Sequence, residues 1–147
     1  MFRDMGQLSD DLYDTLVEAS RAYFTQAIAD GRYVAWVAES RTAPGQIVGG
    51  AGIQLRELLP RPGGTGERLL RGPQGLVVNV FTERAWRRGG VAAALMRELL
   101  RWCQSHGIES LVLHASDEGR PLYERIGFKH TNEMRYEGER GGGPGEG

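Results

Sequence analysis

The chain of 147 residues carries one cysteine, Cys103. That excludes an internal disulfide framework and leaves no second thiol for a cysteine-based zinc site, so no metal is expected. Long apolar runs are also lacking. No stretch approaches the roughly 18–20 residues that span a bilayer, and Met1-Phe2-Arg3-Asp4 opens no apolar leader. Neither sign of charge is in excess: 18 basic and 19 acidic side chains give a net charge of -1. General attraction to nucleic acid or to an anionic membrane is thereby removed, and any basic patch must be local. A soluble, cytoplasmic protein follows from these absences, with neither nucleic acid nor membrane as partner.

Glycine, by contrast, is abundant, at 22 residues, and hydrophobic residues reach 40%, enough for one core. The length predicts a single domain over residues 1–137. The glycines of 138–147 predict a disordered tail outside the fold. A second cluster, Pro60–Gly75, predicts a long loop, mobile or functional. A third, smaller set stands at Gly89-Gly90.

Hydrophobic spacing supplies the elements. Leu8, Leu12, Leu16, Tyr23, Ala27 and Ile28 recur at helical intervals, with Ser9 or Asp10 as cap and Gly31 as stop. Strands are predicted at Tyr33–Glu39, Ile47–Leu55 and Leu76–Thr82, with a turn at Ala43-Pro44-Gly45. Val91–His106 reads as an amphipathic helix that turns Leu95, Leu99, Trp102 and Cys103 to one face. Then follow a strand at Leu111–Leu113, a short helix Glu118–Arg125 broken early by Pro121, and a last strand or hairpin at Phe128–Tyr136. The order predicts an α+β fold, a mixed sheet with one β-α-β crossover.

The stretch Thr82–Leu95, TERAWRRGGVAAAL, joins a strand to a helix through arginines and two glycines, with no capping side chain. The first N–H groups of that helix are left for an anion, the positive end of the helix dipole points at it, and Arg87 and Arg88 add charge. An anion cradle and an ordinary strand-to-helix turn with surface arginines both fit these residues. Neither a phosphate-loop Gly-Lys-Ser/Thr nor a G-x-G-x-x-G occurs.

Arg87-Arg88-Gly89-Gly90-Val91-Ala92 resembles the Arg/Gln-x-x-Gly-x-Gly/Ala signature of the GNAT superfamily of N-acetyltransferases. Downstream, Leu111–Ser116 is similar to that family's fifth strand, and Leu122-Tyr123-Glu124-Arg125-Ile126-Gly127-Phe128 to its LYE-x-x-GF element. The likeness covers residues 8–137, most tightly 76–128. It implies a GNAT-like acyl-CoA N-acyltransferase fold with acetyl-CoA as cosubstrate. The pyrophosphate would lie on the backbone of Arg87, Arg88, Gly89, Gly90, Val91 and Ala92. The pantetheine arm would add like a strand to Val80, Phe81 and Thr82, where a bulge splays this strand from the next. An amine would attack the thioester directly, and a proton must leave the ammonium while another reaches the thiolate.

The likeness aligns Tyr123 with a general acid; a packed aromatic is the blander role. Glu83, through a water, is a candidate base. Asn79 could orient a water, and His114, with its suitable intrinsic pKa, reads rather as a buried histidine satisfied by a carbonyl. His106 and His130 read as surface residues, and Cys103 as a core residue rather than a nucleophile. Where the family often has asparagine for the pantetheine, this chain has Ser116-Asp117.

The family's first strand and first helix look missing or shortened, which would expose the edge of the first remaining strand. A homodimer partner covering that edge, or a natural start further upstream, would account for it. The acceptor pocket is expected from the first helix, the Pro60–Gly75 loop and the last hairpin. Arg61, Arg68 and Arg71 could meet an acidic acceptor, and Asp10, Asp11, Asp14 and Glu18 a basic one, or all could simply be solvated. The functions implied are an acetyl-CoA-dependent N-acetyltransferase of a small-molecule amine or protein amino group, or a catalytically silent acyl-CoA-binding module of the same fold.

Overall fold

The computed structural model describes residues 10–63 and 66–138, and packing divides the chain into two units, Met1–His114 and Ala115–Gly147. Ser9, Leu8 and nearly all of the glycine tail lie outside the described residues.

In the first unit, helix α1 (Asp10–Ala29) leads into an antiparallel pair, β1 (Tyr33–Glu39) and β2 (Ile47–Arg56). Strand β5 (Gln74–Thr82) follows β2 in the sheet, then a 3-10 turn (Arg84–Trp86), helix α2 (Val91–Ser105) and strand β6 (Ser110–Leu113). The sheet order is β1-β2-β5-β6, with β2 antiparallel to β5 and β5 parallel to β6. Helix α2 is the crossover that a parallel pair requires. The described residues hold one helix and no strand before β1, and β1 forms an edge of the sheet.

The α2 stripe holds for Leu95, Leu99 and Cys103; Trp102 is only half-buried, and Met96 takes a buried place beside them. Leu95, Met96, Leu99 and Cys103 are buried against the sheet, while Arg97, Glu98, Arg101 and Gln104 are exposed. With Ile53 of β2, Met96, Leu99 and Cys103 are the largest fully buried side chains. Six successive β2 residues, Val48–Ile53, are buried, so this central strand is covered on both faces. Its glycines reflect how near its neighbours come. A Cβ on Gly49 would fall 2.7 Å from Val91 Cγ1 and 3.3 Å from Leu95 Cδ1. The first turn of α2 therefore sits directly on bare backbone.

Four sequence expectations need correction. The Pro60–Gly75 segment is not loop throughout: it contains a two-residue ribbon, β3 (Arg61–Pro62) with β4 (Leu69–Leu70), and β5 begins at Gln74. On α1, Ala27 is fully buried but Ile28 is 56% exposed, because the face turned to the sheet is narrower than the apolar stripe. In the second unit, Pro121 lies in the first turn of α3 (Arg120–Arg125), where its missing N–H costs no helical bond, so it starts the helix rather than breaking it. No strand forms over Phe128–Tyr136. The residues after Phe128 are mostly polar, and Met134 and Tyr136 are 92% and 89% exposed, so no alternating face exists to bury.

Candidate active site

Strand β5 changes character halfway along. Gln74–Val77 pair on both sides, with β2 and with β6, and the last parallel pair is Val77 with Leu113. Beyond it β5 continues through Thr82 against β2 alone. The register with β2 also slips: Gly52 faces Val78 and Gly50 faces Phe81, so Asn79 and Val80 together stand opposite Ala51. This is a β-bulge. Asn79 takes its strain at φ +57, a left-handed conformation asparagine tolerates better than most side chains. The Glu83 N–H donates to the Val48 carbonyl at 2.7 Å. The Thr82 N–H, one step back along the strand, therefore faces the opposite, open edge. Val80, Phe81 and Thr82 thus lie on an edge that β6 has abandoned.

The arginine-rich loop begins at that edge. Arg87 is extended, Arg88 turns left-handed at φ +70, and Gly90 caps α2 at φ +82 with no side-chain cap. The first helical bond runs from the Ala94 N–H to the Gly90 carbonyl, at 3.0 Å. Among the described residues, the N–H groups of Arg88, Gly90, Val91, Ala92 and Ala93 meet no acceptor. They converge with the positive end of the helix dipole, which is an anion site in physical terms. The two arginines divide the work. Arg87 Nε donates to the Thr82 carbonyl at 3.1 Å, tying the loop to the open end of β5. Arg88 stays exposed.

Glu83 stands exposed at the start of the 3-10 turn. Cys103 is buried, and burial pushes its thiol up to about 11, so it stays protonated and unreactive at neutral pH. His106 and His130 are exposed, as predicted. His114 is exposed too, contrary to the buried histidine expected, because β6 ends at Leu113 and the next residue lies past the last paired position.

In the second unit, Ser116 and Tyr123 come together around Gly119. The Ser116 hydroxyl accepts the Gly119 N–H at 3.1 Å, and the Arg120 N–H donates to the Ser116 carbonyl at 3.0 Å, which sets up the start of α3. A Cβ on Gly119 would lie 2.9 Å from Tyr123 Cε2 and 3.2 Å from Ser116 Oγ. The Tyr123 ring packs edge-on against Phe128, with centroids 6.1 Å apart, and burial raises its phenol pKa. Its proton is therefore retained across the neutral range.

Among the described residues, cavities flank the sheet of the first unit. One of about 650 Å³ lies at the far end of α2, lined by Arg68, Leu70, Cys103, Gln104, Gly107 and Glu109 among others. The Pro60–Gly75 segment contributes here, at the opposite end of the helix from Gly90. The second, about 220 Å³, lies beside the bulge and is lined by Tyr23, Phe24, Tyr33, Gln54, Val78 and Asn79. Sequence reasoning missed this group. A weak signal was present in Gly52, whose bare backbone admits Tyr33: a Cβ there would fall 2.0 Å from the phenol oxygen.

Residues 6–140 match the family model described as an acetyltransferase (GNAT) domain. A curated relative, glucosamine 6-phosphate N-acetyltransferase of Trypanosoma brucei brucei, is 28% identical over 92 residues, which are 62% of this chain and 57% of that enzyme's length. Among solved structures, a GCN5-related N-acetyltransferase from Ralstonia eutropha superposes with a TM-score of 0.76 at 29% identity, covering 92% of this chain and 84% of that one. An acetyltransferase from Clostridium acetobutylicum, solved with acetyl-CoA, gives 0.71 at 28% identity, covering 92% and 80%.

Proposed function

The chain belongs to the GNAT acetyltransferases and has their fold, and from that membership we propose that it transfers an acetyl group from acetyl-CoA to a primary amine by direct attack on the thioester. One observation carries this reading: a row of free N–H groups at the start of α2 adjoins an open strand edge on β5. The two features answer the two chemically different parts of coenzyme A. Amide hydrogens of Arg88 and Gly90–Ala93 suit a pyrophosphate, and glycine at position 90 keeps side-chain bulk away from it. The backbone of Val80–Thr82 suits an amide-rich arm that hydrogen-bonds like a strand. Ser116, with its hydroxyl hydrogen still available, is a further donor for that arm.

Acetyl-CoA supplies an activated carbonyl when bound. This chain's residues have to hold the amine against it and move two protons. Glu83, through a water, takes the proton that the ammonium must lose. Tyr123, kept protonated by burial, delivers one to the departing sulfur. Asn79, at the bulge, orients that water. Products are the N-acetylated amine and free coenzyme A thiol.

Thermal stability followed during titration with acetyl-CoA and, separately, with ATP tests the site. A rise with acetyl-CoA only is expected. Thiol release over a panel of amines then tests the reaction. Tyr123→Phe should lower turnover by roughly 100-fold or more while leaving acetyl-CoA binding intact. Full activity in that variant would remove Tyr123 as the acid. Binding without turnover on any amine would instead identify a silent acyl-CoA-binding module.

A further inference from the structure

We propose that the 220 Å³ cavity beside the bulge is the acceptor subsite, and that it selects a small primary amine with an uncharged, aromatic body. The placement rests on the reading of β5 given above, since Val78 and Asn79 form both the cavity wall and the start of the open edge.

The chemistry of the wall determines the class. Three of its six residues are aromatic. Phe24 lies 4.6 Å from the Tyr33 ring, tilted by 32°, and 5.4 Å from Tyr23, edge-on at 69°. These are the offset and edge geometries that aromatic rings adopt, and a further ring can extend such a cluster. The remaining residues are Val78 and two carboxamides. Gln54 Nε2 donates to Tyr23 Oη at 2.7 Å, and Asn79 Nδ2 donates to Tyr33 Oη at 3.3 Å. Each carboxamide so engaged still has its carbonyl oxygen, which can accept from an amine, and each phenol still has its hydrogen. Backbone strain at Asn79 is concentrated at this wall, as it commonly is where a side chain is held for a purpose.

None of the six lining residues is charged. Arg32 lies 5.8 Å over the Tyr23 ring and is paired with Asp30 at 3.2 Å. Among the described residues of the wall, a phosphate or carboxylate entering the cavity would lose its water without gaining a cation, and a second ammonium would find no carboxylate. Size acts in the same direction, because sites for drug-sized ligands usually enclose about 300–1,000 Å³. A phosphorylated amino sugar and a polyamine are thus both disfavoured relative to an arylalkyl monoamine.

Three probes separate these classes: 2-phenylethylamine, glucosamine 6-phosphate and spermidine. Their binding to the full chain is measured by NMR without acetyl-CoA, and their acetylation by thiol release with it. 2-Phenylethylamine should bind most tightly and exceed the other two in kcat/KM by roughly tenfold or more. Gln54→Glu, a near-isosteric change on a half-buried strand position, should shift the binding preference toward spermidine by roughly tenfold. Equal or weaker binding of 2-phenylethylamine than of either other probe would overturn the inference. So would a preference that Gln54→Glu leaves unmoved. The amine-binding arm needs no acetyl-CoA, so the two readings fail separately. Failure of acetyl-CoA to bind the wild-type chain would sink the proposed function, while amine selectivity would still decide the cavity.

Discussion

Between Gln74 and Val77, strand β5 is held on both edges; from Val78 to Thr82 it is held on one, and it bulges. The first half lies at the end of the unit where α2 finishes and β6 begins. The second leads into the loop from which α2 starts. Side chains do not explain the contrast, since valines occur in both halves. What differs is how many backbone groups find partners. At the closed end the backbone is satisfied and stability accumulates. At the open end, amides on β5 and at the start of α2 remain available, and a ligand can complete what the fold leaves incomplete.

If that division holds, changes at the closed end should alter stability and spare binding, and changes at the open end should do the reverse. Ile53, fully buried and in register with Val77, gives the largest effect. Ile53→Ala should cost about 2–5 kcal/mol in denaturant unfolding, with the acetyl-CoA dissociation constant of the folded protein unchanged. A matching loss of affinity would break the comparison.

The next effect is a pH dependence. The Cys103 thiol is raised from its usual 9.0 to about 11, because burial penalises the thiolate. A raised folded-state pKa means that the stability is fully present below about 9 and is lost as pH rises toward 11. Unfolding free energy should fall by about 2 kcal/mol across that window. Tyr123, also raised by burial, adds to the fall at its upper end. Cys103→Ser should flatten the thiol's part of the slope, as measured by denaturation at stepped pH. An unaltered slope would remove Cys103 as its source.

The smallest change in stability should accompany the clearest change in binding. Gly90 has open space around its missing Cβ but a φ of +82, so Gly90→Asp brings backbone strain of about 1 kcal/mol. Its carboxylate would also compete for the free N–H groups and repel a pyrophosphate. Acetyl-CoA affinity, by calorimetric titration, should fall by about tenfold or more, equivalent to about 1.4 kcal/mol. Unchanged affinity would mean that the open end is not where the anion sits.

Much of this division could be read in the sequence. The α2 stripe and the uncapped Gly89-Gly90 start follow from local rules, and both are where spacing placed them. So are β1, rich in strand formers, and β2, whose Ile-Val start and Ile53 outweigh its glycines. The bulge follows from the family likeness alone; that Asn79 carries it depends on the register of β5 against β2, which is a long-range fact. The aromatic cavity was invisible for the same reason: Phe24, Gln54 and Asn79 belong to three elements and meet only after the sheet assembles. The predicted last strand failed because β-propensity at Phe128 and Tyr136 has no buried face to act on. Pro121 reads wrongly from sequence because a proline breaks a helix interior but suits a first turn, and which of these it occupies depends on where the preceding backbone turns into the helix.

The seat of α2 on Gly49 has a consequence for how such a chain can diverge. The helix rests on bare β2 backbone through Val91 and Leu95, so its direction is fixed from below by the sheet rather than from the side by the loop. Residues 84–86 can then drift in sequence, altering charge at the entrance, while the N–H groups at the start of α2 keep the same aim. Position 49 has no such latitude: any side chain there would lift the helix and turn its first N–H groups away from their target, however well the signature itself were preserved.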